Sequence, residues 1–405
     1  MPVLLNGDFW TLSTGCHTIK TMMNDASGKL STSAKAAPVP AIPMFEIATQ
    51  YQGLRWEIQN AVKEVLDSTE YIGGATVKRF EEHLGRVAQA QAVAVSSGTD
   101  AILAALMALG IGPGDKVITT PFTFFATAGC ISRAGATPVF VDIDPSTFLI
   151  QTAAVAAAIT SGVKAVIPVH LFGQMCEMDA LAEVCGKKSV MIIEDAAQCI
   201  GAKDSKGRIP AECSRAACLS FYPTKNLGAA GDAGAVLTRD SALAQRLLQT
   251  RQHGETSRYH HGFVGGNFRL DAIQCAVLDV KLNYLEKWNT RRRSIAGYYS
   301  QRFAGTDVIA PAQIPNTHHV YHQYVVRIPR RDAVRDYLQQ NGVGSAIYYP
   351  KPLHLQECFA SLGYHAGAFV NAERACGEVL ALPVFPELTD AQIARVADVL
   401  LSFYK

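Results

Sequence analysis

Lys225 lies in the run Ser220-Phe221-Tyr222-Pro223-Thr224-Lys225-Asn226-Leu227-Gly228, downstream of an acidic turn, Asp195-Ala196-Ala197-Gln198. Most lysines are solvated surface charges. One set among aromatic and apolar neighbours is different, because burial disfavours the ammonium and lowers its pKa. A neutral amine at working pH is what Schiff-base chemistry requires. Asp195 closes the apolar run Val190-Met191-Ile192-Ile193-Glu194 and could supply a carboxylate that keeps a pyridinium nitrogen protonated. A lysine tether and an acidic partner are the two groups that pyridoxal 5'-phosphate (PLP) asks of its protein.

The elements that must position these groups can be read from hydropathy. From Ala92 to about Val236, short β-branched runs alternate with helical patterns. Val93-Ala94-Val95 leads into a helix from Asp100 to Leu109, and Lys116-Val117-Ile118 into one from Phe125 to Arg133. Pro138 to Val141 precedes Thr152 to Thr160, and Ala165 to Val169 precedes Met178 to Cys185. Near-continuous apolar strands separated by helices predict a mostly parallel α/β sheet covered on both faces. Ligands of such sheets bind beyond the carboxyl ends of the strands, and Ser97, Phe122, His170 and Asp195 all follow strand ends. A helical stretch from Leu270 to about Phe303 would lead to a smaller C-terminal α+β domain. The predicted division is a disordered extension over 1–40, a large domain over 41–285, and the linking helix with the small domain over 286–405.

Several segments in order resemble one family. They are Ser97-Gly98-Thr99-Asp100-Ala101, Gly112-Pro113-Gly114-Asp115, Pro121-Phe122-Thr123-Phe124, Glu194 to Gln198, the Lys225 run, Gly231-Asp232-Ala233-Gly234-Ala235, and Asn267-Phe268-Arg269-Leu270-Asp271. Together they resemble the DegT/StrS sugar aminotransferases, PLP enzymes of fold type I. The resemblance runs from about Ile42 to the C-terminus.

That resemblance implies a role for each site residue. Lys225 would tether the cofactor and shuttle a proton; relatives that deoxygenate sugars carry histidine there, so lysine speaks for transamination. Asp195 would pair with the ring nitrogen, and Gln198 would bond the phenolic oxygen. Gly98 and Thr99 open a helix whose free N–H groups could seat the phosphate, joined by the Ser220 hydroxyl. Phe122 or Phe124 would stack on the ring. Asn267 would cross a homodimer interface to the partner's phosphate, with Arg269 near the substrate. Tyr348, Tyr349 and His354, in Tyr348-Tyr349-Pro350-Lys351-Pro352-Leu353-His354, would face the sugar; many relatives have histidine where Tyr348 stands. His170 is either a site-lining residue or a satisfied core histidine. The substrates implied are a nucleotide-linked ketosugar and L-glutamate, and the products would feed surface polysaccharides or glycosylated metabolites. Another PLP reaction on the same fold and a non-catalytic regulator are the rival readings.

Composition bounds the alternatives. The 405 residues are 49% hydrophobic and 18% charged, with net charge +2, so no strongly basic surface argues for nucleic acid. Arg291-Arg292-Arg293 reads as one turn of a long helix. Ten cysteines without a Cys-x-x-Cys pair read as reduced thiols of a cytoplasmic enzyme. His260-His261 and His318-His319 lack companions at metal-ligand spacing, so no metal is expected. No apolar run reaches membrane-spanning length.

Overall fold

The computed structural model describes residues 40–405. The extension expected over 1–40 lies, but for its last residue, outside the described residues. Seven strands form the main sheet: β1 (Gln91–Val95), β2 (Lys116–Thr119), β3 (Thr137–Phe140), β4 (Val163–Val166), β5 (Met191–Asp195), β6 (Ala216–Ser220) and β7 (Gly234–Thr238). Their spatial order is β1-β7-β6-β5-β4-β2-β3. β7 runs antiparallel to both β1 and β6, and every other pairing in the sheet is parallel.

The apolar strands bury both faces, as their composition demands. Val93, Val95, Val117, Ala165, Ile167, Ile193, Cys218 and Val236 share one core with Ile102, Leu106, Ile131 and Leu247. The alternate residues Ala94, Ile118, Val166, Ile192, Leu219, Ala235 and Leu237 face a second core on the other side. This is the two-residue period of a pleated strand covered twice. Two helices ahead of β1, which the strand–helix alternation does not announce, span Ile47–Ser68 and Gly74–Ala88. The second buries Val77, Phe80 and Leu84, an i, i+3, i+7 stripe.

The expected single helix from Leu270 to Phe303 is two helices, Ala272–Leu282 and Leu285–Phe303. Asn283 Nδ2 donates to the Asp279 and Val280 carbonyls at 3.0 and 3.1 Å, competing with the helical ladder at the break. Beyond the break, Ile295, Tyr299 and Phe303 enter a third core. A short hairpin, β8 (Glu255–Ser257) with β9 (His260–His261), precedes these helices, and the third core also holds β10 (Tyr324–Arg327) paired antiparallel to β11 (Val379–Leu382). The C-terminal helix Asp390–Ser402 starts on a Thr389–Gln392 capping box. No helix among the described residues is long and apolar enough to cross a membrane.

Candidate active site

Asp195 is the last residue of β5 and is 5% exposed. Its Oδ2 accepts from Thr127 Oγ1 at 2.7 Å, and its Oδ1 from the Ala197 N–H at 3.2 Å. Both oxygens are therefore held, and the carboxylate also caps the turn that follows. Lys225 sits on the loop after β6, its backbone N–H donating to the Tyr222 carbonyl at 2.8 Å. Burial pushes its amine down to about 8, while the Asp195 charge pulls the other way. A pKa near 8 leaves roughly a quarter of the amine neutral at pH 7.5, against about a thousandth for an ordinary lysine.

The loop carrying Lys225 is closed on itself. The Ala229 N–H donates to the Phe221 carbonyl at 2.8 Å, and a Cβ on Gly228 would fall 2.2 Å from the Pro223 carbonyl oxygen, so only glycine fits there. From behind, buried Lys281 donates from Nζ to the Gly228 carbonyl at 2.5 Å.

Gly98 and Thr99 begin the helix Gly98–Ala108, where Ser97 Oγ caps the Asp100 N–H at 3.0 Å. The first N–H groups of a helix have no intrahelical acceptor and bind anions well. Ser220, the last residue of β6, meets this turn at the same edge of the sheet.

The aromatic residues separate into two kinds. Phe122 is 0% exposed, packed against Phe148, Phe172 and Tyr349 with ring centroids 5.6, 6.4 and 6.1 Å away. Phe124, 57% exposed, lies 6.4 Å from Tyr349 and is the one of the pair with an open face. Of the two rings expected to stack on a ligand, Phe122 is corrected to a core residue, and Phe124 is the one with a face left open.

Gln198 joins three segments. Its Oε1 accepts from the Phe172 N–H at 2.6 Å and its Nε2 donates to the Tyr349 hydroxyl at 3.2 Å. Phe172 has φ 59, a backbone conformation costly for a bulky residue, and the Gln198 contact helps hold it. Tyr348 is half-buried and packs edge-on against Tyr349, 5.9 Å between centroids.

The strip that follows the β8–β9 hairpin runs along the end of β1. Arg269 pairs with Val95, and Ser96 N–H donates to the Phe268 carbonyl at 3.0 Å. Among the described residues, Arg269 Nε is enclosed without a partner. Asn267 is exposed.

Two of the buried histidines are ones the sequence singles out, His170 and His354. His170 is a core residue, with Nε2 at 2.6 Å from Glu194 Oε2 and Nδ1 accepting from the Cys176 N–H at 3.1 Å. His354, expected to face the sugar, is 1% exposed instead. Its Nε2 lies 3.1 Å from Glu373 Oε1, and Phe369 packs edge-on at 4.8 Å. The adjacent Leu353 N–H donates to the Pro121 carbonyl at 2.8 Å, so this segment props the Phe122–Phe124 turn from below.

Lys225, Asp195, Gln198, Ser220, Gly98 and Thr99 thus gather at the carboxyl edge of the sheet. A buried amine and a carboxylate held at both oxygens, set on this fold, define the class of the fold type I aminotransferases. The chain belongs to the DegT/DnrJ/EryC1/StrS aminotransferase family, whose profile matches residues 53–401. It is 46% identical to a pleiotropic regulatory protein of Geobacillus stearothermophilus, over 90% of this chain and 99% of that one. It is 42% identical to a UDP-N-acetyl-3-dehydro-α-D-glucosamine 3-aminotransferase of Acidithiobacillus ferrooxidans, over 89% and 97%. The crystal structure of S. venezuelae DesV in complex with a ketimine intermediate superposes with a TM-score of 0.89 at 39% identity, covering 91% of this chain and 99% of that chain.

Proposed function

We propose that the protein is a PLP-dependent aminotransferase that converts a nucleotide-linked ketosugar to an aminosugar, with L-glutamate as amino donor. The observation that carries this reading is the buried Lys225 amine, lowered to about 8, near the held carboxylate of Asp195. The residues present fit the cofactor. Gly98 lets Ser220 close directly on the helix start, since a Cβ there would stand 2.9 Å from Ser220 Oγ, and that helix start offers N–H donors beside the serine hydroxyl. When bound, PLP supplies an electron sink for the carbanion at the amino-bearing carbon.

Each protein group then has a defined task. Gly98, Thr99 and Ser220 hold the phosphate. Asp195 Oδ keeps the proton on the ring nitrogen, and Thr127 and the Ala197 N–H keep that carboxylate aimed. Gln198, whose Nε2 donates to the Tyr349 hydroxyl, would donate to the phenolic oxygen. Phe124 covers one ring face, and Tyr348 and Tyr349 limit water on the small-domain side. Lys225 Nζ gives and takes the proton at the reacting carbon, a task that needs both forms of the amine near neutral pH. Asn267 and Arg269 act across a homodimer interface, Asn267 on the partner's phosphate and Arg269 near the substrate.

A UDP-linked 3-dehydro sugar is the first substrate to try, because a relative 42% identical is named for one. Purified protein loaded with PLP is expected to release 2-oxoglutarate from L-glutamate and then aminate the ketosugar. Turnover between amino acids and 2-oxo acids, with nucleotide ketosugars inert, would instead support an amino-acid transaminase.

A further inference from the structure

Lys225 is followed by a buried polar side chain whose hydrogen bonds are completely determined. Asn226 Nδ2 donates to Asn289 Oδ1 at 2.7 Å and to the Val320 carbonyl at 3.1 Å, while its Oδ1 lies 3.1 Å from His322 Nδ1. Asn289 Nδ2 in turn donates to the Ile200 carbonyl at 3.1 Å. Asn226, Asn289 and His322 are all buried. Packing is close: a Cβ on Gly201 would fall 2.6 Å from Asn289 Nδ2.

These bonds dictate every orientation. The Asn289 amide nitrogen is occupied by Ile200, so its oxygen faces Asn226. The Asn226 nitrogen is occupied twice, so its oxygen faces His322. An amide oxygen only accepts, so the imidazole proton sits on Nδ1. Burial, and then the charges of Lys225 and Arg292, hold His322 well below the usual histidine range. The ring is therefore neutral and acts as a donor of fixed direction.

The network joins three parts of the molecule to the lysine loop: the turn after β5 through Ile200, the helix Leu285–Phe303 through Asn289, and the segment ahead of β10 through Val320 and His322. None of these side chains has a part in the chemistry described above. We propose that His322 is a positioning residue for Lys225, acting through Asn226: its Nδ1–H fixes the stretch of chain that carries the reacting amine. The inference rests on the reading of Lys225 as that amine. Without the bond, the Asn226 amide can turn, the loop loosens, and the amine gains access to water.

The test compares His322→Phe, which fills the space without a donor, with His322→Asn, whose Nδ2 stands near the place of Nδ1. In cofactor-free protein, competitive acylation of lysines across a pH series, followed by peptide mass analysis, reads the titration midpoint of Lys225 directly. In His322→Phe the midpoint should rise by about one unit toward the ordinary lysine value. In the PLP-loaded enzyme kcat should fall by about tenfold or more, with KM values changed less than about threefold. His322→Asn should restore both readouts. Should His322→Phe fail to fold, Asn226→Ala removes the acceptor of the ring N–H without touching the ring, and the Lys225 midpoint should rise there too. A folded His322→Phe or Asn226→Ala variant with an unmoved midpoint and unmoved kcat overturns the proposal, as does His322→Asn behaving like His322→Phe. Failure of the underlying reading would show differently, as a borohydride adduct on another lysine while the midpoint still shifts.

Discussion

Gly98 lies flush against Ser220: a Cβ on the glycine would stand 2.5 Å from the serine Cβ and 2.9 Å from its Oγ. The two residues follow β1 and end β6, strands separated in the sheet by β7. A second glycine makes the approach possible. Gly234 opens β7, and a Cβ there would fall 2.4 Å from the Ser97 carbonyl oxygen, so the turn after β1 crosses directly over the end of β7. Antiparallel β7 thus brings a helix start and a serine hydroxyl to one place.

Gly98→Ala is expected to push Ser220 aside and spoil the anion seat. Apparent PLP affinity, read by titrating cofactor-free protein spectroscopically, should weaken by about tenfold or more, equivalent to about 1.4 kcal/mol. The thermal midpoint should also drop, since overpacking of this kind costs roughly 1–3 kcal/mol. Unchanged affinity would place the phosphate elsewhere.

Asp195→Asn keeps the shape of the turn but cannot stabilise a protonated ring nitrogen. Cofactor should still bind, and stopped-flow measurement of both half-reactions should show each slowed by about a hundredfold or more. Near-normal rates with cofactor bound would mean that another acid does the work.

The Lys225 amine gives cofactor-free protein a stability that depends on pH with a definite sign. Its folded pKa, about 8, lies below the unfolded value near 10.5. Between these values the unfolded chain binds more protons, so the Lys225 contribution to stability rises with pH across that window. Below pH 8 the buried ammonium is a full liability. Asp195, whose charge acts on it, opposes the shift without cancelling it. Lys225→Met should therefore stabilise cofactor-free protein most at pH 7, with the gain fading by about pH 10.5. Denaturant melts of the two proteins at pH 7, 9 and 10.5 check this. A gain that grew with pH would contradict it.

What the sequence revealed follows a physical divide between local and tertiary information. That Lys225, Asp195, Gly98 and Ser220 gather at one edge of the sheet is legible because strand ends and glycine-bearing turns are local signals. The choice between Phe122 and Phe124 was not, because the rings that bury Phe122 come from Phe148, Phe172 and Tyr349 in distant segments. His354 reads as a sugar-facing loop residue until Glu373 and Phe369 close over it. Thr127 went unnoticed as the partner of Asp195, since no spacing relates a helix residue to a strand end so far along the chain. The break at Asn283 interrupts a stretch whose apolar pattern continues on both sides, and only the side-chain bonds to Asp279 and Val280 reveal it.

If Asn267 and Arg269 serve the partner's site, inactive Lys225→Ala and Arg269→Ala chains should complement one another. A mixed dimer would hold one site with both lesions and one intact site. Random pairing of equal amounts should then restore up to roughly a quarter of wild-type activity. Activity after subunit exchange, with exchange verified by native mass spectrometry, checks this. Exchange without recovery would leave Asn267 and Arg269 in their own subunit's site.

The central claim is that the buried Lys225 amine is the group that reacts with PLP. Borohydride reduction of the PLP-loaded protein, followed by peptide mapping, tests it most directly. The pyridoxyl adduct is expected on Lys225, in the peptide that contains Ser220 to Gly228, and should vanish in Lys225→Ala. An adduct confined to Lys281 or any other lysine would contradict the account.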